Sequence, residues 1–135
     1  MISDVTRQRR AFWAHFAQAL PELAARMERG NETSRWLPVG PFPLVAAHYV
    51  GAGGVGIFVR GPRGSRIGHV REILFPNREI IARHLGPELR LGNRFLLHSR
   101  LRLAMDDRSS WPRSVAWFAE TSPRYEAMLR EVQGS

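Results

Sequence analysis

The chain of 135 residues contains no cysteine and no lysine; all 20 of its basic residues are arginine. Without cysteine there can be no disulfide, no thiolate zinc ligand and no thiol nucleophile. Without lysine there is no amine for P-loop phosphate binding, for a Schiff base or for an Asp…Glu-x-Lys nuclease site. Long apolar runs are also missing, and none approaches the ~20 residues that a membrane-spanning helix needs. Met1–Arg10 carries Asp4 and three arginines, and Ala11–Leu20 is interrupted by His15 and Gln18. No signal peptide is therefore expected, and the sequence predicts a cytoplasmic protein with no membrane partner. There is no internal repeat and no low-complexity segment.

Apolar residues make up 44% and charged residues 24%, the balance of one folded domain over residues 1–135. The formal net charge is +8. A GC-rich genome accounts for arginine in place of lysine, but not for the excess over 12 acidic residues. The excess is uneven: residues 66–103 hold eight arginines against three glutamates, whereas 104–135 hold four arginines against five acids. A clustered basic region is the electrostatic footprint of a polyanion partner.

Hydrophobic spacing predicts a first helix from Ser3 or Asp4 to Leu20, with Phe12, Phe16 and Leu20 on one face. Arg7, Arg9 and Arg10 fall at its start, where the helix dipole disfavours cations, which points to a partner or an acidic neighbour. Pro21–Arg29 reads as a second helix capped by Gly30, and Asn31–Pro43 as a loop anchored by Trp36 and Leu37. Leu44–Val50 and Val55–Arg60 read as a hairpin about Gly51–Gly54. A helix follows from Gly68 to Leu85, in which Pro76 must kink the chain or restart the helix. Glu88–Leu91 and Phe95–Ala104 read as a second hairpin about Gly92-Asn93. Ser110 is expected to cap a helix bearing Trp111, Val115 and Phe118, and Pro123 to open a last one bearing Tyr125, Met128, Leu129 and Val132. The fold class is α+β: a small antiparallel sheet from two hairpins, with N-terminal, central and C-terminal helices packed mainly on one face.

Gly51-Ala52-Gly53-Gly54-Val55-Gly56 satisfies G-x-G-x-x-G, but the β-branched and aromatic residues that follow read as strand. A dinucleotide site needs its glycines to open a helix, so a hairpin turn is the better reading and no cofactor is expected. His15, His48, His69, His84 and His98 show no i,i+3 or i,i+4 pairing, so no metal is expected. Asp106-Asp107 is the one tandem carboxylate pair; a metal-dependent enzyme would need it to meet a distant Glu or His, and a solvating or capping loop is the simpler reading. No serine stands in a recognisable acyl-transfer order, and no catalytic constellation emerges. Trp13, Trp111 and Trp117 lie in helical apolar stripes and are expected in the core, whereas Trp36 is the tryptophan expected nearest to solvent.

The strand Phe95–Ala104 carries the most information. Leu97, Ser99, Leu101 and Leu103 alternate with His98, Arg100 and Arg102, which places these last three in a row about 7 Å apart on the opposite face. Arg60 on the neighbouring hairpin extends the row, and Arg94 and Arg90 flank it. Such a stripe suits a nucleic-acid backbone, with Arg60, Arg94, Arg100 and Arg102 on phosphates and His98 beside them as a hydrogen-bond donor. The alternative is a protein-interaction or homodimerisation module that uses the amphipathic C-terminal segment.

Arg10-Ala11-Phe12-Trp13-Ala14-His15-Phe16 resembles the Phe-Trp…Phe opening of the bacterial domain-of-unknown-function family 4268. Arg78…Ile81…Leu85-Gly86 is similar to that family's helix ending in Lys-x-x-Ile-Glu-x-x-Phe-Gly. Ser99-Arg100-Leu101 is similar to its Ser-Arg-Ile strand, and Trp111 and Trp117-Phe118 to its aromatic C-terminal helix. The chain departs from the pattern at Ala82, where a glutamate is usual, and at Leu85, where phenylalanine is. The resemblance covers positions 7 to 132 and implies an α+β domain often fused behind nuclease-like regions. It would assist nucleic-acid-directed or defence machinery without cutting anything itself.

Overall fold

Ser3 starts the first helix, α1 (Asp4–Ala19), by accepting a 3.1 Å hydrogen bond from the amide of Thr6. The computed structural model describes residues 2–42, 44–87, 89 and 96–134. Phe12, Trp13 and Phe16 of α1 are buried, as their spacing predicts, and Arg9 is buried with them. The two other early arginines find acidic neighbours: Arg7 pairs with Asp4 at 3.0 Å, and Arg10 grips Glu32 through Nε and Nη2.

The sequence reading departs from the structure in the next twenty residues. The second helix, α2 (Pro21–Ala25), stops four residues short of Arg29. Strands β1 (Glu28–Asn31) and β2 (Ser34–Val39) then form a hairpin where a helix end and a loop were expected. Asn31 builds the turn by accepting from the amide and hydroxyl of Thr33. Gly30 is no helix cap: a Cβ there would lie 2.2 Å from the indole nitrogen of Trp36, so the bare backbone is what lets the ring lie down. Alternation in β2 is present but hidden by Pro38. Arg35, Leu37 and Val39 face the helices, and Ser34 and Trp36 face the other way.

Strands β3 (Leu44–Gly51) and β4 (Gly54–Arg60) pair in full register, with Ala52 and Gly53 as the turn. The glycine motif is therefore a hairpin, not a helix start. After β4 come α3 (Ile67–Leu74), a 3-10 turn Phe75–Asn77 that absorbs Pro76, and α4 (Arg78–Leu85). The last strand, β5 (Leu96–Arg102), pairs with β4. The expected hairpin partner Glu88–Leu91, the Gly92-Asn93 turn, Arg90 and Arg94 lie outside the described residues, apart from Leu89. The result is an α+β fold whose five-stranded antiparallel sheet runs β1-β2-β3-β4-β5.

Helix α5 (Trp111–Val132) is continuous for 22 residues, so Pro123 does not begin a separate helix. Proline cannot donate to the carbonyl of Ala119, a loss of about 3 kcal/mol in a helix interior. Here Ala119 and Pro123 both lie on the exposed side. The buried side, from Val115 through Phe118 and Tyr125 to Leu129, stays unbroken and holds the two halves together. The Ser110 side chain makes no capping hydrogen bond to α5; Asp107 instead caps the 3-10 turn Arg108–Ser110 that precedes it, accepting from the amide of Ser109.

Helices α1 and α5 close one face of the sheet. Phe16 meets Phe118 edge to face at 5.5 Å, over Leu37, Ala46, Val55 and Ile57. Within this layer the His48 ring is completely buried. Its Nδ1 lies 2.9 Å from the carbonyl of Ala46, which can only accept, so that nitrogen carries the proton. Nε2 then accepts from the hydroxyl of Ser122 at 2.9 Å. Among the described residues no helix is long and apolar enough to cross a membrane.

Burial drives the His48 pKa down from 6.5 to about 4. Between those values the unfolded chain binds a proton at this position that the folded chain refuses. The contribution is therefore complete above the ordinary histidine value and is lost as the pH falls through it, by roughly 1.4 kcal/mol per pH unit. Urea denaturation should show about 2 kcal/mol less stability at pH 5 than at pH 7.5 from this group. The double variant His48→Leu/Ser122→Ala, which removes both polar partners, should lose that part of the pH dependence; an unchanged slope would refute the account.

Candidate functional site: an aromatic and cationic cleft on the open sheet face

Strand alternation decides what the second face of the sheet displays. Opposite the helices stand Trp36 from β2, Ala47 and Tyr49 from β3, Phe58 and Arg60 from β4, and His98, Arg100 and Arg102 from β5. Several of these line a cleft of about 480 Å³. Trp36, Tyr49 and Phe58 contribute rings. Arg60, His98 and Arg100 contribute the basic groups, Asn31, Thr33 and Ser34 one polar wall, and Gly51, Gly53 and Gly54 bare backbone. None of the described lining residues is acidic.

Two glycines shape this face. A Cβ on Gly56 would come within 2.5 Å of the ring of Tyr49, its cross-strand partner, so the phenol lies directly on the backbone of β4. At Gly54, with φ +155°, a Cβ would approach the carbonyl oxygen of Leu101 to 2.1 Å. That contact lets β5 close against the turn and brings Arg100 and Arg102 beside it.

Two arginines are held over one indole ring. The guanidinium of Arg60 lies 4.0 Å from the ring centroid of Trp36, and that of Arg63 lies 4.4 Å from it. Trp36 is thereby only 6% exposed, which corrects the expectation that it would be the tryptophan nearest to solvent. Arg60 also donates from Nε to the carbonyl of Gly61 at 3.0 Å, and Arg63 from Nη2 to the carbonyl of Gly30 at 2.9 Å. Burial and the neighbouring Arg63 lower the pKa of Arg60, though it remains charged. Among the described residues no carboxylate pairs with Arg60, Arg100 or Arg102 within salt-bridge distance.

His98 is positioned by an irregularity in β5. Register shifts between Ile57 and Val59, and Leu97 takes a left-handed φ of 54°, the one described non-glycine residue to do so. Both Leu96 and Leu97 are thereby turned inward. The hydroxyl of Tyr125 donates to the carbonyl of Leu97 and so anchors the bulge from α5. Beyond it His98 emerges on the cleft side, hydrogen-bonded through Nε2 to the hydroxyl of Tyr49. Burial first, and the charge of Arg100 second, lower the His98 pKa. Burial raises that of Tyr49.

The structure thus gathers Arg60, His98 and Arg100 at one cleft, with Arg102 next along the same face and exposed. Arg94 lies outside the described residues. The sequence reading missed Trp36, Tyr49 and the Asn31–Ser34 wall. A period-two signal at Trp36 was the clue available for the first, because Pro38 and the short β1 obscured the hairpin. Asp106 and Asp107 do not line this cleft, and Asp107 is occupied as a cap. Among the described residues no three His, Asp or Glu side chains gather as metal ligands would. The chain matches no protein-family model, no curated protein and no solved structure.

The proximity of Arg100 to His98 can be measured directly. Arg100→Gln removes a charge that disfavours the imidazolium, so the His98 pKa should rise towards the ordinary histidine value. An NMR titration of the ring protons checks this; a pKa that stays put or falls would show that Arg100 does not act on His98.

Proposed function

We propose that this protein is a non-catalytic nucleic-acid-associated module that engages a phosphate backbone with the open face of its sheet. One observation carries the reading: Arg60 and Arg100 enter a cleft with aromatic residues and, among the described residues, no acidic lining. Cations without local neutralisation attract a polyanion, and each phosphate they neutralise adds a salt-dependent contribution through counterion release. Arg102 extends the cationic row, and His98 supplies a polar neighbour. The resemblance to family 4268, whose members accompany nuclease-like regions, supports an accessory role beside nuclease or defence machinery. It bears on the company such a domain keeps rather than on its contacts.

A second reading, docking on a protein or on another copy of the chain, has its own observation. Ile67 and Phe75, near α3, are 45% and 54% exposed, whereas the apolar side of α5 is used up inside the fold. Such a contact would therefore use α3 and the turn after it rather than the C-terminal helix.

The nucleic-acid reading is tested with Arg100→Ala/Arg102→Ala. Binding of an oligonucleotide should weaken to a similar degree across sequences, and the slope of log K against log salt should flatten by ~2. Unchanged affinity and slope would remove this face from the proposal.

A further inference from the structure

We propose that the cleft accepts one unpaired nucleotide of a single strand, its base stacked on Tyr49 and the phosphates on its two sides held by Arg60 and by Arg100. The inference rests on the nucleic-acid reading above and names its substrate class.

Three observations lead to it. First, the rings do not stand proud of the sheet. Tyr49 and Phe58 are only partly exposed, and Trp36 is roofed by two guanidinium groups, so whatever meets an aromatic surface here must enter a recess. A base inside a duplex has both faces covered by its neighbours and shows only edges in the grooves. An unstacked base of a single strand can be splayed out and laid on a ring.

Second, Tyr49 is fixed before any ligand arrives. Gly56 supports its ring from beneath, and its hydroxyl is bound to His98. A ring held this way loses little conformational freedom on stacking. Tyr49 is better suited to the task than Trp36, whose surface Arg60 and Arg63 already occupy.

Third, size and charge agree. The cleft volume of about 480 Å³ falls in the roughly 300–1,000 Å³ range of sites for small organic ligands. A single nucleotide belongs to that class and a double helix does not. Arg60 is held over Trp36 with Nε on the carbonyl of Gly61, and its two terminal nitrogens are left to meet phosphate oxygens. Arg100 is exposed on the opposite side, above Gly53, where a Cβ would still leave 3.6 Å to its Nη2.

The test compares four probes at one ionic strength: an oligothymidylate, an abasic strand of equal length, a duplex of equal phosphate count, and thymidine monophosphate. The oligothymidylate should bind the unaltered protein roughly five- to a hundred-fold more tightly than the abasic strand, the range expected for one stacked base. Tyr49→Leu should erase that difference while leaving the abasic strand's affinity as it was, with thermal melting confirming that the variant folds. Equal affinity for the abasic strand and the oligothymidylate would overturn base insertion and leave the backbone reading standing. Tighter binding of the duplex would likewise overturn it. Failure of all four probes to bind at low salt would overturn both readings. Thymidine monophosphate binding as tightly as the strand would overturn the assignment to a polymer in favour of a free nucleotide.

Discussion

The two-residue turn at Ala52-Gly53 sets the register of β3 against β4, and the rest of the architecture depends on it. With Gly51 opposite Gly54, the pairs Ala46–Val59 and His48–Ile57 face α1 and α5, while Ala47–Phe58 and Tyr49–Gly56 face the cleft. A slip of one residue would exchange the two sets, placing His48 in the open and Phe58 under the helices. The register is reinforced from both sides. The His48–Ser122 hydrogen bond ties β3 to α5, and the Tyr49 ring has room only over a residue without a Cβ. Gly54 carries the constraint onward to β5, whose backbone comes closer than any side chain there would allow.

That division also sorts the charges. Glu32 takes Arg10 and Arg29, Glu126 takes Arg26 and Arg130, and Glu131 takes Arg83 and lies 3.1 Å from His84. Exposed pairs of this kind contribute little stability. Their consequence is electrostatic: they neutralise cations at the hairpin edge and along α5. Arginines on the open face have no such carboxylates among the described residues. The uncovered sheet face thus keeps the charges of Arg60, Arg100 and Arg102.

How much of this could be read from the sequence follows from which periodicities were clean. Period-two spacing in β4 and β5 places Arg60, His98, Arg100 and Arg102 on one face, because Val55, Ile57 and Val59 and then Leu101 mark the other. The β1–β2 hairpin was hidden: β1 is only four residues of polar and glycine character, and Pro38 interrupts the β2 pattern. Pro123 misled in the opposite sense. Proline is a local stop signal, and only the long-range fit of α5 against the sheet reveals that the helix continues through it. The bulge at Leu97 had no signal at all, since a left-handed leucine is stabilised by contacts from Tyr125 rather than by its own preference.

The absence of lysine acquires a structural meaning at Trp36. A planar guanidinium lies flat on an indole and still directs N–H groups sideways, so stacking and anion binding do not compete for the same surface. An ammonium group is a strongly hydrated point charge; pressed on the ring it would give up water without gaining a second, orthogonal set of donors. Arg60 lies over the Trp36 ring and is at the same time bonded to the carbonyl of Gly61. Whatever biased the composition towards arginine, the fold uses the planarity of that side chain to keep a cation fixed and partly desolvated at the edge of the cleft. There its charge acts at greater strength than on a mobile surface side chain.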